Sequence, residues 1–307
     1  MIVCVAPNPS IDKLFEVDRV EPGRIHRSTA LVPVAGGKGL NVARAAASLG
    51  ADVHVVALLG GHAGRWIAEQ LDVLELPLTA VWTASETRSC LSVADAETSS
   101  LTEFYEPGAQ VSAAEWEQFV RAVQELVAGA AWTTVSGSLP PGAQQGGYEQ
   151  LVVGPRVAAD TCELGNSRPA LVKVNATEAA QLVGRAVDTR ADAVAAALTL
   201  RERAGGDGHA AIVTLGAEGA VLVSPDGTSW SGSLAAVGRY PVGSGDAFLA
   251  GLVAALERET SWSDALCAAL GAGAANAEIP GAGELDSDRA GQLAERAHVE
   301  PATSHRV

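Results

Sequence analysis

Short apolar runs recur along this chain, and stretches with helical spacing separate most of them, which narrows the fold to one class. Ile2 to Ala6, Val53 to Leu59, Trp132 to Val135, Arg156 to Ala159, Leu171 to Val174 and Ala211 to Leu215 each read as a buried strand. Between them, Leu40 to Leu49 is Ala-rich and helical, and Thr189 to Ala204 is a further helical stretch. Ser112-x-x-Glu115 is a capping box that opens an amphipathic helix through Val127, with Trp116, Phe119, Val120, Val123 and Leu126 on one face. Strands alternating with helices imply an α/β fold, a mostly parallel sheet covered on both faces. Two excursions break the rhythm, at about 11–34 and 88–105, where apolar and polar residues alternate with no helix between. They imply a small separate sheet that covers a cleft at the strand ends. Residues 1–307 thus read as one domain carrying a lid made from two insertions.

A chain of 307 residues can bury a full core. Its apolar fraction is 48%, yet it has no uninterrupted apolar run long enough to span a bilayer. The start, Met1-Ile2-Val3-Cys4-Val5-Ala6, lacks the basic flank of a signal peptide, so a cytoplasmic protein is expected. A formal charge of -15 opposes a nucleic-acid or anionic-membrane surface. Cys4, Cys90, Cys162 and Cys267 form no C-x-x-C pair, which suggests neither zinc nor a disulfide framework. A phosphorylated small ligand needs only a few cations at one place. The lysines are Lys13, Lys38 and Lys173, against eighteen arginines, and each lies in or beside a segment with chemical potential.

Gly243-Ser244-Gly245-Asp246 runs directly into the apolar helix Ala247 to Leu256. Small residues at a helix N-terminus offer backbone N–H groups and the positive end of the helix dipole to an anion. Asp246 reads either as an N-cap or as a general base beside a bound phosphoryl group. Gly36-Gly37-Lys38-Gly39-Leu40-Asn41 also opens a helix, without the spacing of a Walker loop or a dinucleotide fingerprint. Lys38 there can hold a phosphate and Asn41 a sugar hydroxyl, or the segment is a tight turn with a solvated lysine. Lys173-Val174-Asn175-Ala176-Thr177-Glu178 leaves a strand for a helix. Asn175 and Glu178 form either a structural capping box or the oxygen shell of a hydrated Mg²⁺. Asp12 in Pro7-Asn8-Pro9-Ser10-Ile11-Asp12 is a candidate for sugar hydroxyls or a plain surface acid. Ser136 to Gly142 and Thr214 to Gly219 are strand-end turns able to approach a ligand.

Taken in this order, the segments resemble the PfkB (ribokinase-like) carbohydrate kinases from Met1 to about Pro280-Gly281-Ala282-Gly283. Pro241-Val242-Gly243-Ser244-Gly245-Asp246-Ala247-Phe248 is similar to the family's anion hole and catalytic base, Gly36 to Ala43 to its N-terminal glycine signature, and Asn175 to Glu178 to its Mg²⁺-linked motif. Pro7 to Asp12, Thr102 to Gly108 and Ser136 to Gly142 resemble the branch of 1-phosphofructokinase, tagatose-6-phosphate kinase and the minor 6-phosphofructokinases. The resemblance implies a three-layer α/β/α ribokinase-like fold with a β-sheet lid, ATP and Mg²⁺ as cofactors, and a homodimer through the lid. It assigns Asp12, Gly37 and Asn41 to the sugar, and Lys38, Arg88, Ser138 and Arg27 to a phosphate already on it. Lys173, Asn175, Thr214, Gly216, Gly219 and Asn276 fall to the nucleotide and Glu178 to the metal, through water. Asp246 takes the hydroxyl proton while the amides of Gly243, Ser244, Gly245 and Asp246 stabilise the phosphoryl oxygens.

The implied substrate is a phosphorylated ketohexose: fructose-1-phosphate, fructose-6-phosphate or tagatose-6-phosphate. An unphosphorylated sugar or nucleoside is the rival substrate, and a non-catalytic sugar-phosphate sensor the rival of another class. A nicotinamide oxidoreductase lacks its fingerprint after the first strand. Two departures from the family pattern stand out: Val174 where a Pro is usual, and Ala35 where a Pro commonly precedes the glycines. A third is larger. Asp160 to Pro169 is short for the family's helix-containing connection, so a covering helix is expected to be shortened or lost there.

Overall fold

The computed structural model describes residues 1–98, 100–236 and 238–302. The chain starts with β1 (Ile2–Ala6) and turns at once into β2 (Ser10–Val17) and β3 (Ala30–Gly36). It continues through α1 (Lys38–Ser48), β4 (Val53–Gly60), α2 (Gly61–Val73) and β5 (Leu78–Thr83). A second hairpin follows, β6 (Arg88–Asp95) and β7 (Ser100–Tyr105), then α3 (Ala113–Val127), β8 (Trp132–Ser136), α4 (Gly147–Leu151) and β9 (Val157–Asp160). Next come β10 (Leu171–Asn175), α5 (Ala176–Val183), α6 (Arg190–Ala204), β11 (Ala210–Thr214), β12 (Ala220–Val223) and β13 (Ser229–Ser233). The chain closes with α7 (Ser244–Glu257), α8 (Trp262–Glu278), α9 (Ser287–Ala294) and β14 (His298–Pro301).

Among the described residues the main sheet has ten strands in the order β14-β13-β12-β11-β10-β9-β8-β1-β4-β5. It is parallel from β11 to β5, and β12, β13 and β14 add antiparallel strands at one side. Alternate residues of the strands serve opposite faces, as period two requires. Ile2, Cys4 and Ala6 pack with α1, α2, α7, α8 and α9, while Val3 and Val5 pack with Trp116 and Phe119 of α3 and Tyr148 of α4. Farther along, Val172, Val174, Ala211 and Val213 meet Ala193, Ala197 and Leu200 of α6. Two helical layers around one sheet match the expected α/β/α class.

The two hairpins form a second sheet in the order β3-β2-β6-β7. β2 and β6, one from each insertion, pair in parallel, and the outer pairings are antiparallel. Because β2 follows β1 after three residues, Asp12 is carried at the root of this lid, directly above the strand ends.

The short connection behaves as its length demands. Residues 161–170 join β9 to its parallel neighbour β10 without a helix, although such crossovers usually take a dozen residues or more. β9 is flanked by β8 and β10, so what the missing helix leaves is a patch of sheet face and not an edge. Leu164 fills it, packing with Ala159, Val172 and Val174. The turn is tied down where Leu139 N–H donates to Glu163 Oε2 (3.3 Å) and Asn166 N–H to Glu149 Oε1 (2.9 Å).

Candidate active site

In open parallel sheets, ligands bind beyond the C-terminal strand ends, where neighbouring connections diverge. β1 pairs β4 on one side and β8 on the other, and its end opens into a cavity of about 780 Å³. Ala6, Ser136, Lys173, Asn175 and Thr214 line it from the strands, Gly37, Lys38 and Asn41 from α1 and its turn, Gly243 to Asp246 from α7, and Asp12, Arg88, Cys90 and Tyr105 from the lid.

Asp246 is the third residue of α7, behind an N-cap supplied by Gly243, so the capping reading fails. Gly243 takes φ 83, the left-handed region that favours glycine, and a Cβ there would lie 2.6 Å from Ala282 Cα. The Asp246 carboxylate, 6% exposed, accepts from Asn41 Nδ2 at 2.8 Å. Asn41 is oriented in turn by Arg44, whose Nη1 lies 3.5 Å from Asn41 Oδ1. With Oδ1 facing the guanidinium, the amide must present its NH₂ to Asp246. Arg44 is itself held by the carbonyls of Ala35 and Ala282 and by Glu284 at 3.2 Å. Burial, then the neighbouring Asp160, push the Asp246 carboxyl up to about 6 against the pull of Lys173, Asn41 and Lys38.

The anion-binding turn is narrower than the motif suggests. Ser244 N–H is bonded to Pro241 O (3.1 Å) and Asp246 N–H to Gly243 O (3.0 Å). The amides of Gly243 and Gly245 take no partner among the described residues, and the buried Ser244 hydroxyl has none either. A Cβ on Gly245 would approach Lys173 Nζ to 3.0 Å, so a glycine there lets the ammonium sit against the turn. One cation and a set of free donors thus converge on one point.

Asp160, at the end of β9, is the residue that the sequence reading missed. Fully buried, it takes Lys173 Nζ at 2.7 Å on one oxygen and Lys38 Nζ at 3.0 Å on the other. Burial alone would raise its carboxyl; Lys173 and Lys38 outweigh that and hold it below the usual range. Lys38 also pairs with Glu178 Oε1 at 2.9 Å. Burial works against its charge, but Asp160, Glu178 and Asp246 together hold Lys38 above the ordinary lysine range. Expected beside a sugar phosphate, Lys38 points instead to Asp160 and Glu178.

The capping-box reading of Asn175 and Glu178 holds, and it leaves one carboxylate oxygen over. Asn175 Oδ1 accepts from Glu178 N–H (2.9 Å) and Glu178 Oε2 from Asn175 N–H (2.9 Å), a capping box, which leaves Glu178 Oε1 facing the cavity. Asp160 and Glu178 are hard oxygen donors already arranged around a cation, which fits Mg²⁺ held by one or two carboxylates and completed by phosphates.

On the lid side, Asp12 accepts from Ser10 Oγ (2.6 Å) and Gly37 N–H (3.2 Å). It is no surface acid: burial raises its carboxyl against those bonds and the charges of Arg88 and Arg44. Arg88 donates to Asn8 O (3.1 Å) and Asn8 Nδ2 to Ser138 Oγ (3.0 Å), so Arg88, Asn8 and Ser138 form one polar cluster. Among the described residues, Arg88 Nε and Ser136 Oγ are buried without partners. Thr214, Gly216 and Gly219 line the far end with the apolar Leu234, Ala236, Leu270, Ala274 and Ala277.

Two assigned residues lie elsewhere. Asn276 is fully buried and does not line the cavity: its Nδ2 donates to Val242 O (3.2 Å) and its Oδ1 accepts from Gly283 N–H (2.9 Å), pinning the loop before α7 to the loop after α8. Arg27 sits in the exposed β2–β3 loop, in a separate depression with Arg19, Arg24 and His26.

Residues 6–289 match the pfkB family carbohydrate kinases. The chain belongs to that family. It is 33% identical over 315 residues to 1-phosphofructokinase of Haloferax volcanii, covering 99% of each chain. It is 30% identical over 305 residues to ATP-dependent 6-phosphofructokinase isozyme 2 of Mycobacterium tuberculosis, covering 94% of this chain and 87% of the relative. The crystal structure of phosphofructokinase-2 from Escherichia coli in complex with potassium superimposes with a TM-score of 0.87 at 26% identity, over 96% of this chain and 98% of that one. In this pfkB family chain the small second sheet lines the cavity at the strand ends. Among the described residues, no helix is long and apolar enough to cross a membrane.

Proposed function

We propose that this chain transfers the γ-phosphoryl group of ATP to a hydroxyl of a phosphorylated ketohexose, with fructose-1-phosphate and fructose-6-phosphate as the first candidates. The carrying observation is the position of Asp246: a buried carboxylate beside unpaired turn amides and Lys173, at the meeting of a carboxylate–lysine cluster and a lid cluster. With its carboxyl pushed up to about 6, Asp246 is mostly ionised at neutral pH yet basic enough to take a hydroxyl proton.

The division of the cavity supports the rest of the reading. Arg88, Asn8 and Ser138 hold the phosphate already on the sugar, and Asp12 and Asn41 accept or donate to its hydroxyls. The apolar end beside Thr214, Gly216 and Gly219 takes the adenine. Asp160 and Glu178 hold Mg²⁺, which supplies charge neutralisation for the nucleotide phosphates. Gly243, Gly245 and Lys173 face the transferred group, and placing it in line with the hydroxyl is most of the catalysis. Lid closure keeps water from competing with the sugar. A cytoplasmic location goes with this reading, since ATP is its donor.

We assign the lid a second role, a homodimer contact. Leu31, Leu101 and Phe104 are exposed on it at 56%, 38% and 58%, more apolar surface than a small sheet ordinarily leaves to water. Phe104→Glu is expected to turn a dimer into a monomer in sedimentation equilibrium; an unchanged mass would move the contact elsewhere.

A coupled ADP-release assay on fructose-1-phosphate, fructose-6-phosphate, tagatose-6-phosphate, free ketoses and nucleosides tests the substrate. Turnover on a fructose phosphate is expected. Activity confined to free ketoses or nucleosides would overturn the assignment.

A further inference from the structure

Four charged side chains meet at the ends of β9 and β10, and two of them are cations of unequal freedom. Lys173 is locked, with 4% of its side chain exposed, a single carboxylate partner at 2.7 Å and the Gly245 backbone against its ammonium. Lys38 is 34% exposed along the cavity wall and divides its ammonium between Asp160 Oδ1 and Glu178 Oε1. Those two oxygens are the donors a metal would meet once the ammonium leaves, Glu178 from the cavity lining and Asp160, fully buried, from behind it. Asp246, mostly ionised at neutral pH, acts on both ammonium groups as well, so three carboxylates face two cations. A bare divalent cation added beside both ammonium groups would turn the cluster net positive and crowd three cations together in a poorly solvated place, which is costly. A cation that arrives on nucleotide phosphates brings its own compensation.

We propose that Lys38 is the resting counter-ion of the metal site. It guards Asp160 and Glu178 against free divalent ions and is displaced when the metal enters with the nucleotide. In the exchange the metal takes over the two carboxylate oxygens, the nucleotide phosphates answer its extra charge, and the freed ammonium turns to the phosphate groups then in the cavity. Lys38 would therefore serve the substrate side only after the nucleotide side is filled, which makes the two half-sites cooperate. A lysine suits this and an arginine does not, because the ammonium is a compact point charge on a flexible stem. The inference rests on the metal-dependent reading above.

The test is equilibrium binding of Mn²⁺ to the full chain, followed by the electron paramagnetic resonance of free Mn²⁺, with and without a non-hydrolysable ATP analogue. Without nucleotide, Lys38→Met is expected to bind Mn²⁺ at least about ten-fold tighter than the unmodified chain, equivalent to about 1.4 kcal/mol. Equal or weaker binding overturns the proposal. Adding Glu178→Gln to that variant should abolish the gain; a gain that persists means the ion sits elsewhere and also overturns it. A second measurement needs no substitution. With three lysines in the chain, ¹⁵Nζ labelling resolves Lys38, and its signal should shift when Mg²⁺ and the ATP analogue are added together but not with Mg²⁺ alone. A signal that stays put in both cases, or moves with Mg²⁺ alone, contradicts the exchange. If the unmodified chain binds no nucleotide analogue with Mn²⁺ present, the kinase reading itself falls, and this inference with it.

Discussion

The strand-end wall of the cavity fixes its charges in buried pairs, whereas the lid wall carries Arg88, Asp12 and Tyr105 on a thin four-stranded sheet with apolar side chains open to water. Asp160 and Asp246 show how far the first wall controls its chemistry. Both are carboxylates on the main domain, close enough to influence each other, and both are buried. Asp160, with an ammonium on each oxygen, is held below the ordinary range, while Asp246, with one neutral amide, rises to about 6. One environment makes a permanent anion; the other makes a carboxyl raised as the proposed base requires. The lid has no such rigid scaffold. On the function proposed above, the reaction type is built into the main domain, and the choice of sugar is left to an element that can move or vary without disturbing it.

The contrast can be broken by substitutions on either wall. Asp246→Asn should lower kcat by about two to four powers of ten, the usual contribution of a general base. Calorimetric binding of nucleotide and sugar phosphate should survive in that variant; near-normal turnover would remove Asp246 from the chemistry. Asp160→Ala leaves two buried or half-buried ammonium groups without their shared partner, and urea unfolding should show a loss of about 3–5 kcal/mol. A loss under about 1 kcal/mol, the range of exposed pairs, would mean that this wall is solvated and not a fixed pair network. Arg88→Ala on the lid should act on binding alone. Losing a charged hydrogen-bond donor, about 1.5–3 kcal/mol, should raise KM for the sugar phosphate roughly ten- to a hundred-fold with kcat and melting temperature nearly unchanged. A fall in kcat with KM intact would place Arg88 on the catalytic wall.

The sheet was legible because its strands are buried on both faces and so appear as unbroken apolar runs, and β1 came out with its observed ends, Ile2 and Ala6. The lid was legible from alternation without helices. Asp246, Lys173, Asn175 and Glu178 stood out because glycines or a capping box sit beside them in sequence. Asp160 did not: it is a single acid ending an apolar strand, and its meaning depends on Lys173, 13 residues away, and Lys38, 122 residues away. The rule that ligands gather at parallel strand ends, applied to β9, was the signal available for it. Arg44 was hidden for a similar reason, as an arginine within a helix whose partners lie in distant loops. Asn276 shows the opposite case, a side chain near the nucleotide end by sequence position that turns inward to hold Val242 and Gly283.

The pH dependence of kcat/KM in the unmodified enzyme is the most direct test of the central claim, that Asp246 is a base made by burial. Asp246 works only as the carboxylate, and protonation disables it as pH falls through about 6. The rate should be level near neutrality, bend near pH 6, and drop about ten-fold per unit below that, as loss of a single proton acceptor requires. An acid limb in that position supports Asp246 as the base; a profile flat from pH 7 down to pH 4.5 in a still-folded protein would contradict it.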